Sequence, residues 1–214
     1  KRRLVFEELF VLQTGLLFLK RRRRALAGCT VKKNLLEEFK MTLSFKLTGA
    51  QERVINECLT DMMSPRPMNR LIQGDVGSGK TAVAAALMYI SAGNGFQSAL
   101  MAPTELLAEQ HFKTLCKITE NSGIKCALLT GSLTKKQKDE VKAGLKSGEI
   151  KVAVGTHALL TDDVEFENLG LVVTDEQHRF GVGQRGRLSS KGNNPHTLVM
   201  SATPIPRTLG LIIY

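Results

Sequence analysis

Long apolar runs, paired cysteines and short-period repeats are all missing from this 214-residue sequence, and each absence excludes a class of protein. No apolar run reaches the roughly 20 residues that span a bilayer, so we expect no membrane partner. Neither glycine nor proline recurs at a fixed period, and 43% hydrophobic residues are too many for a disordered tail. The four cysteines form no CxxC pair and no zinc-type cluster with histidine, which predicts reduced, mostly buried thiols in a cytosolic protein.

Positive charge is unevenly distributed along the chain. The net charge is +10, yet residues 1–46 contain 12 of the 30 basic residues and only 4 of the 20 acidic ones. Residues 47–214 are therefore close to neutral. A basic chain favours a nucleic-acid partner, but many basic surfaces are merely solvated, so charge alone leaves both interpretations open.

The amino-terminal segment imitates a lipoprotein signal peptide, with a basic start, an apolar stretch and Cys29. Two acids, Glu7 and Glu8, interrupt that stretch, and Arg21–Arg24 would have to enter the membrane, so we exclude a signal peptide. The spacing instead predicts an amphipathic helix within a basic helical connector over residues 1–44. Its proposed face consists of Phe6, Leu9, Phe10, Gln13, Leu16, Leu17 and Lys20.

From residue 45 onwards, short apolar strands alternate with helical stretches. Such a pattern predicts an α/β fold in which helices cover both faces of a parallel β-sheet. The predicted strands are Asn69–Gln73, Gln97–Met101, Lys125–Leu129, Ile150–Val154, Leu169–Thr174 and Thr197–Met200. The predicted helices follow the first three strands, ending near Ile90, spanning Glu105–Thr119 and spanning about Lys135–Ser147.

The first strand leads into a complete P-loop pattern, GxxxxGKT, which opens a helix. Glycines there let backbone N–H groups surround a phosphate, so ATP and Mg²⁺ are the expected cofactors. Lys80 is expected to reach the β- and γ-phosphates, and the Thr81 hydroxyl to bind Mg²⁺. The loop comprises Gly74, Asp75, Val76, Gly77, Ser78, Gly79, Lys80 and Thr81.

A second catalytic pattern follows the apolar strand near residue 170. That strand ends in Asp175 and Glu176. Asp175 can hold the metal, and Glu176 can orient and polarise the attacking water. Together with a complete P-loop, this pair is typical of ATPases that transfer the phosphoryl group to water.

Further short strings occur in the order that is typical of superfamily 2 helicase motors, and the resemblance extends over residues 45–214. It implies a RecA-like P-loop NTPase fold. The matching strings are LTGAQ (Leu47–Gln51, the segment that reads adenine), APTEL (Ala102–Leu106, motif Ia), GTH (Gly155–His157, motif Ib), DEQH (Asp175–His178, motif II) and SAT (Ser201–Thr203, motif III).

Longer strings resemble the RecG family of bacterial ATP-dependent DNA helicases. They are DEQHRFGVGQR (Asp175–Arg185), MSATPIPRTL (Met200–Leu209) and, in the connector, LVFEELFVLQTGL (Leu4–Leu16). The resemblance implies a bacterial cytoplasmic protein that remodels branched DNA, such as stalled forks and Holliday junctions, in replication, recombination and repair. Motors of transcription-repair coupling factors share the second string but usually carry DEEQRFGV in motif II, and they remain the alternative.

The resemblance also implies roles on the nucleotide side. Gln51 would read the adenine edge, with Leu47 beside it, while Phe45 either stacks on the base or belongs to the core. Gln177 and His178 would sense the γ-phosphate, so they join Lys80, Asp175 and Glu176 as catalytic residues. His178 would couple hydrolysis to movement through Ser201 and Thr203.

On the DNA side, small polar groups are expected just beyond the strand ends. The implied phosphate contacts carry no base information, which suits a motor that steps along any sequence. A basic cluster after motif II contacts DNA, a partner lobe or only solvent, and the lysine-rich helix near residue 140 is expected to be a solvated face. The DNA-binding candidates are Pro103, Thr104, Thr156, His157, Arg179 and Arg185.

Motors of this superfamily use two lobes with ATP between them. The resemblance therefore implies a connector over residues 1–44 and a first motor lobe over residues 45–214, with the second lobe and the wedge domain outside this chain. Such a fragment is expected to bind ATP–Mg²⁺ weakly, to hydrolyse it slowly and not to unwind DNA. A P-loop nucleotide switch without translocation is the alternative from another class, although Glu176 would then have little purpose.

Overall fold

The computed structural model describes residues 6, 7, 10, 11, 13–15, 28–175 and 182–202. Within these residues a single six-stranded sheet forms, with all strands parallel, in the order β1-β6-β5-β2-β4-β3. The predicted α/β fold is confirmed. The strands are β1 (Asn69–Gln73), β2 (Gln97–Met101), β3 (Cys126–Leu129), β4 (Val152–Gly155), β5 (Leu169–Asp175) and β6 (His196–Ser201).

Helices precede the sheet and connect its strands. The predicted helix over Glu105–Thr119 is confirmed at both ends. Threonines begin three helices by accepting a backbone N–H bond, and two of them complete a capping box with a glutamine. The helices are α1 (Leu36–Thr42), α2 (Gly49–Met62), α3 (Lys80–Gly93), α4 (Glu105–Thr119), α5 (Lys135–Lys146) and α6 (Val182–Ser189), with a 3₁₀ turn at His157–Leu160.

Both faces of the sheet are covered, as predicted. In β2, Leu100 belongs to one hydrophobic cluster, whereas its neighbours Ala99 and Met101 belong to another. The same alternation separates Val172 from Val173 in β5. Since successive strand residues point to opposite faces, the two clusters are the two cores, one on each side. Helices α1 to α4 contribute to the first cluster, and α5, α6 and the 3₁₀ turn contribute to the second.

The fourth strand begins two residues later than predicted. The expected strand was Ile150–Val154, but β4 spans Val152–Gly155. Ile150 instead closes the turn after α5, where its N–H donates to the Gly144 carbonyl at 3.0 Å. An apolar residue next to a strand can thus belong to the preceding turn, because the turn also needs a side chain to pack against its helix.

Residues 28–44 pack directly on the predicted motor lobe. Val31, Leu36 and Phe39 are buried in the first core cluster, and the Phe39 ring lies 5.5 Å from that of Tyr89. The Asn94 side chain also binds this segment, accepting from two of its backbone N–H groups and donating to a carbonyl. The predicted boundary at residue 45 stays a prediction, but the hydrophobic core extends across it.

The described residues between 6 and 15 are helical, as expected of the connector. Phe6 and Phe10 stack with ring centroids 6.1 Å apart, and they are 68% and 61% exposed. The remaining members of the predicted face, Leu9, Leu16, Leu17 and Lys20, lie outside the described residues. No helix in the described part of the chain is long and apolar enough to cross a membrane.

All four cysteines are free thiols, as predicted, but only one is fully buried. Cys58 lies in the core, and burial raises its pKa to about 11. Cys29, Cys116 and Cys126 are half-buried, so the expectation of mostly buried thiols was too strong. Burial also raises the pKa of each of these three, which disfavours the reactive thiolate form.

Candidate nucleotide site and nucleic-acid edge

Three of the predicted motifs meet at the carboxyl-terminal edge of the sheet, where its parallel strands end. The Gly74 N–H, just after β1, donates to the Ser201 carbonyl at the end of β6, with N···O 3.2 Å. Asp175 is the last residue of β5 and pairs in register with Met200 of β6. Strand order β1-β6-β5 therefore brings the P-loop, motif II and motif III side by side, at the edge where open α/β sheets bind ligands.

The P-loop has the backbone conformation that its glycines permit. Gly77 and Gly79 have φ of +83° and +81°, in the left-handed region that other residues rarely adopt. The Ser78 N–H donates to the Asp75 carbonyl at 3.1 Å, which closes the turn. Helix α3 begins directly afterwards at Lys80, so its free N–H groups and partial positive charge face the loop.

The predicted phosphate-binding lysine lies over this loop. Lys80 Nζ donates to the carbonyls of Gly74 at 2.6 Å and Asp75 at 2.9 Å. These bonds fold the lysine side chain back from α3 across the turn. The ammonium group and the loop N–H groups together suit a polyphosphate, which supports the predicted nucleotide site.

The predicted adenine-reading residue contacts the P-loop. Gln51 Nε2 donates to the Ser78 carbonyl at 3.1 Å, and its Oε1 accepts from the Thr48 N–H at 2.9 Å. A Cβ on Gly79 would lie only 2.2 Å from Gln51 Nε2, so position 79 has to be glycine for this contact to form. The sequence did not predict this contact.

The other two predicted adenine-side residues differ in exposure. Phe45 is 51% exposed, which excludes the core alternative and leaves its ring available for stacking. Leu47 is half-buried and packs against the first core cluster. It therefore anchors the segment that leads to Gln51.

A histidine that the sequence did not single out contacts the motif II aspartate. His111 Nε2 lies 2.8 Å from Asp175 Oδ2, and their side chains are only 9% and 13% exposed. His111 shares the buried face of α4 with Ala108, Leu115 and Ile118. A histidine within an otherwise apolar helical stripe was the one sequence signal that could have identified it.

The donor set at this edge fits a magnesium ion. The Thr81 hydroxyl and the Asp175 carboxylate are hard oxygen ligands, the type that Mg²⁺ prefers. Among the described residues, no group of three or more His, Cys, Asp and Glu side chains could hold a metal ion.

Four of the candidate DNA residues lie at the same edge, in the half of the sheet that contains β2 and β4. Pro103 and Thr104 follow β2, and Thr156 and His157 follow β4, as predicted. Thr104 and His157 are exposed. Thr156 is 8% exposed, so its side chain has little surface to offer DNA.

A loop after β3 completes this part of the edge. The Glu105 carboxylate accepts from the Ser132 N–H at 3.2 Å, and hydrogen bonds from Ser132 and Gly131 lower its pKa. Between this loop and His157 lies a cavity of about 390 Å³, which Lys138 and Lys142 also line. Glu105 thus fixes the position of the loop between β3 and α5.

The lysines of α5 are mostly engaged within the protein. Lys142 pairs with Asp163, Lys146 lies 2.7 Å from Glu165, and Lys138 donates to the Gly131 carbonyl at 2.6 Å. Exposed pairs of this kind contribute little stability, but they neutralise the face. Lys135, Lys136 and Lys146 are exposed, as a solvated face requires, whereas Lys138 and Lys142 are half-buried.

The arrangement described so far is typical of a helicase motor lobe, and comparison with known proteins decides the family. The sequence profile of the DEAD/DEAH box helicase family matches residues 48–212. The chain belongs to this family.

Proteins named ATP-dependent DNA helicase RecG are its relatives within the helicase family, which confirms the predicted resemblance. The chain is 51% identical along its whole length to that of Synechocystis sp. and 49% identical to that of Thermotoga maritima. It is similar to a solved structure of RecG bound to a three-way DNA junction, with a TM-score of 0.86 and 47% identity. The chain covers only 26%, 28% and 29% of these three proteins, respectively.

Several predicted site residues of this helicase-family chain lie outside the described residues. Ser201 is described and fully buried, but its predicted coupling partner His178 is not described. Arg187, a member of the basic cluster after motif II, pairs with Asp162 at 3.1 Å. The roles of the following residues stay predictions: Glu176, Gln177, His178, Arg179, Thr203 and the side chain of Arg185.

Proposed function

We propose that this chain is the ATP-binding motor lobe of a RecG-like DNA helicase that remodels branched DNA, including stalled forks and Holliday junctions. One observation supports it above all: the P-loop, Asp175 and Ser201 lie together at the carboxyl ends of three neighbouring strands. The chain that carries this arrangement is about half identical to RecG proteins along its entire length. The remaining domains of the full-length protein, including a second motor lobe and a wedge domain, are its proposed partners. The bacterial cytoplasm is its proposed location.

Different residues of the nucleotide site are proposed to bind the phosphates, the adenine and the metal ion. The N–H groups around Gly79 and the Lys80 ammonium bind the phosphates, and Gln51 with Phe45 holds the adenine. Thr81 and Asp175 hold Mg²⁺, which neutralises charge on the phosphate oxygens when it is bound.

Glu176 is the proposed base of the reaction. It orients a water molecule and accepts its proton as the water oxygen bonds to the γ-phosphorus and the bond to the β-phosphate oxygen breaks. Products are ADP and inorganic phosphate. Gln177 and His178 are proposed to report this change to Ser201 and Thr203 of motif III.

DNA is proposed to lie along the other half of the edge. Thr104 and His157 are exposed there at the ends of two strands that are joined, since the Ala102 N–H donates to the Gly155 carbonyl at 2.9 Å. Pro103, Arg179 and Arg185 extend the proposed path. Contacts of this kind reach phosphates rather than bases, so we expect binding that is largely independent of sequence.

The decisive experiment changes Glu176→Gln in the full-length protein. We expect unchanged ATP affinity, loss of ATP hydrolysis and loss of branch remodelling in assays with a synthetic four-way junction. Glu120→Gln is the matched control, because Glu120 is exposed at the far end of α4, at the opposite edge of the sheet.

Two results would contradict the proposal. Retained remodelling in the Glu176→Gln variant would exclude a role for hydrolysis. An ATPase that responds to nucleotide-dependent partners but not to any DNA would favour a nucleotide switch instead. The isolated chain is expected to bind ATP–Mg²⁺ weakly and not to unwind DNA.

A further inference from the structure

We propose that His111 is a positioning residue that holds Asp175 in the orientation for binding Mg²⁺. This inference rests on the proposed role of Asp175 as a metal ligand. It assigns a function to a buried contact, His111 Nε2 to Asp175 Oδ2 at 2.8 Å, that joins residues 64 positions apart. Because a carboxylate oxygen accepts, the imidazole donates its Nε2–H.

The position of the imidazole is determined by a well-fixed helix. Thr104 caps the start of helix α4, where its hydroxyl accepts from the Leu107 N–H at 3.3 Å. Ala108 and Leu115, one turn on either side of His111, are fully buried in the core cluster. The imidazole is therefore held between two packed turns and has little freedom to leave the end of β5.

The consequence for Asp175 is that one carboxylate oxygen is fixed. With Oδ2 bound to His111, Oδ1 remains for a cation, and the carboxylate does not have to be ordered when the metal arrives. The side chains are 9% and 13% exposed, so water competes poorly for the hydrogen bond. Partners of this kind, behind a metal ligand, typically change metal affinity or activity by about 10- to 100-fold when they are mutated.

Two variants of His111 separate hydrogen bonding from packing. His111→Leu keeps an apolar side chain of similar size but has no donor, whereas His111→Gln retains an N–H group. Thr119→Val is the matched control: it removes a buried hydroxyl from the far end of the same helix, where Thr119 Oγ1 donates to the Leu115 carbonyl at 2.9 Å. Its loss perturbs α4 without touching Asp175.

The measurement is the affinity of the full-length protein for a fluorescent ADP, with Mg²⁺ and with a chelator, alongside Mn²⁺ binding by electron paramagnetic resonance. We expect His111→Leu to lose about 10- to 100-fold of the metal-dependent gain in affinity, with unchanged affinity in the chelator. His111→Gln should recover much of that gain, and Thr119→Val should equal the wild type.

Asp175→Asn distinguishes the inference from the proposal beneath it. If Asp175→Asn loses the metal-dependent gain but His111→Leu retains it, the positioning role is wrong and the metal site stands. If Asp175→Asn itself retains the gain, both are wrong. Equal losses for His111→Leu and Thr119→Val, in metal and in chelator alike, would also overturn the positioning role, because they would indicate a general defect of α4.

Discussion

Two glycines of the P-loop provide a matched test of its contact with Gln51. Gly77 and Gly79 have nearly the same backbone conformation, with φ of +83° and +81°. A Cβ at position 77 would meet nothing within 4 Å, whereas one at position 79 would lie 2.2 Å from Gln51 Nε2. Alanine therefore adds similar backbone strain at both positions, but it adds a collision only at position 79.

The expected magnitudes follow from these two costs. Left-handed backbone costs a non-glycine residue about 1–2 kcal/mol, so Gly77→Ala should lower the free energy of unfolding by about that amount. Gly79→Ala also displaces Gln51 from the Ser78 carbonyl, and a neutral hydrogen bond contributes about 0.5–1.5 kcal/mol. In a Gln51→Ala background this second cost disappears, since the side chain is already gone.

The assay is a double-mutant cycle on the free energy of unfolding of this chain, measured by chemical denaturation. We expect Gln51→Ala and Gly79→Ala to be non-additive by about 1 kcal/mol, and Gln51→Ala with Gly77→Ala to add within about 0.5 kcal/mol. Using coupling energies removes the separate effect of each single substitution on stability. Equal coupling for the two pairs would refute the contact between Gln51 and the loop.

Three further predictions concern stability and the DNA edge. Phe39→Ala should cost about 3–5 kcal/mol in a chemical unfolding curve, whereas Met41→Ala, 80% exposed on the same helix, should cost almost nothing; similar costs would place Phe39 outside the core. Burial lowers the pKa of His196, so the contribution of the neutral imidazole to stability should be fully present above about pH 6.5 and be lost as the pH falls below that value. The melting temperature should therefore fall with pH in this range. Loss of this pH dependence in His196→Gln would confirm the cause, and an unchanged pH dependence would reject it. Thr104→Ala and Thr134→Ala each remove a helix cap and should each cost about 1 kcal/mol, but only Thr104→Ala should also weaken DNA-stimulated ATP hydrolysis; equal stimulation in both would argue against Thr104 at the DNA edge.

Much of the sheet could be predicted because its strands are buried on both faces. Such strands are short continuous apolar runs in the sequence, as in Leu169–Asp175. The P-loop pattern additionally identifies the run directly before it, Asn69–Gln73, as a strand. Helix α2 was predictable in principle, since Ile55, Cys58, Leu59 and Met62 have helical spacing and Thr48 begins a capping box. The adenine motif, Leu47–Gln51, overlaps that cap, so the same residues carry both signals.

The contacts that complete the site could not be predicted, because they depend on which strands are neighbours. His111 meets Asp175 only because β5 lies beside β2, the strand that leads into α4. Gln51 meets Ser78 across 27 residues for a similar reason, since α2 packs beside the helix that the P-loop opens. Local sequence specifies the residue types at these places, whereas sheet order determines which of them touch.

The segment before the predicted boundary has a mechanical consequence. Gly28 N–H donates to the Pro65 carbonyl at 2.9 Å, Val31 N–H to the Met62 carbonyl at 3.0 Å, and His196 bonds to the Cys29 carbonyl while accepting from the Met68 N–H. A pull on residues 28–31 would be transmitted to the lobe through these bonds, beside the amino-terminal ends of β1 and β6. Since β1 leads into the P-loop and β6 ends in Ser201, a displacement of residues 28–31 would act on the two strands that carry these motifs.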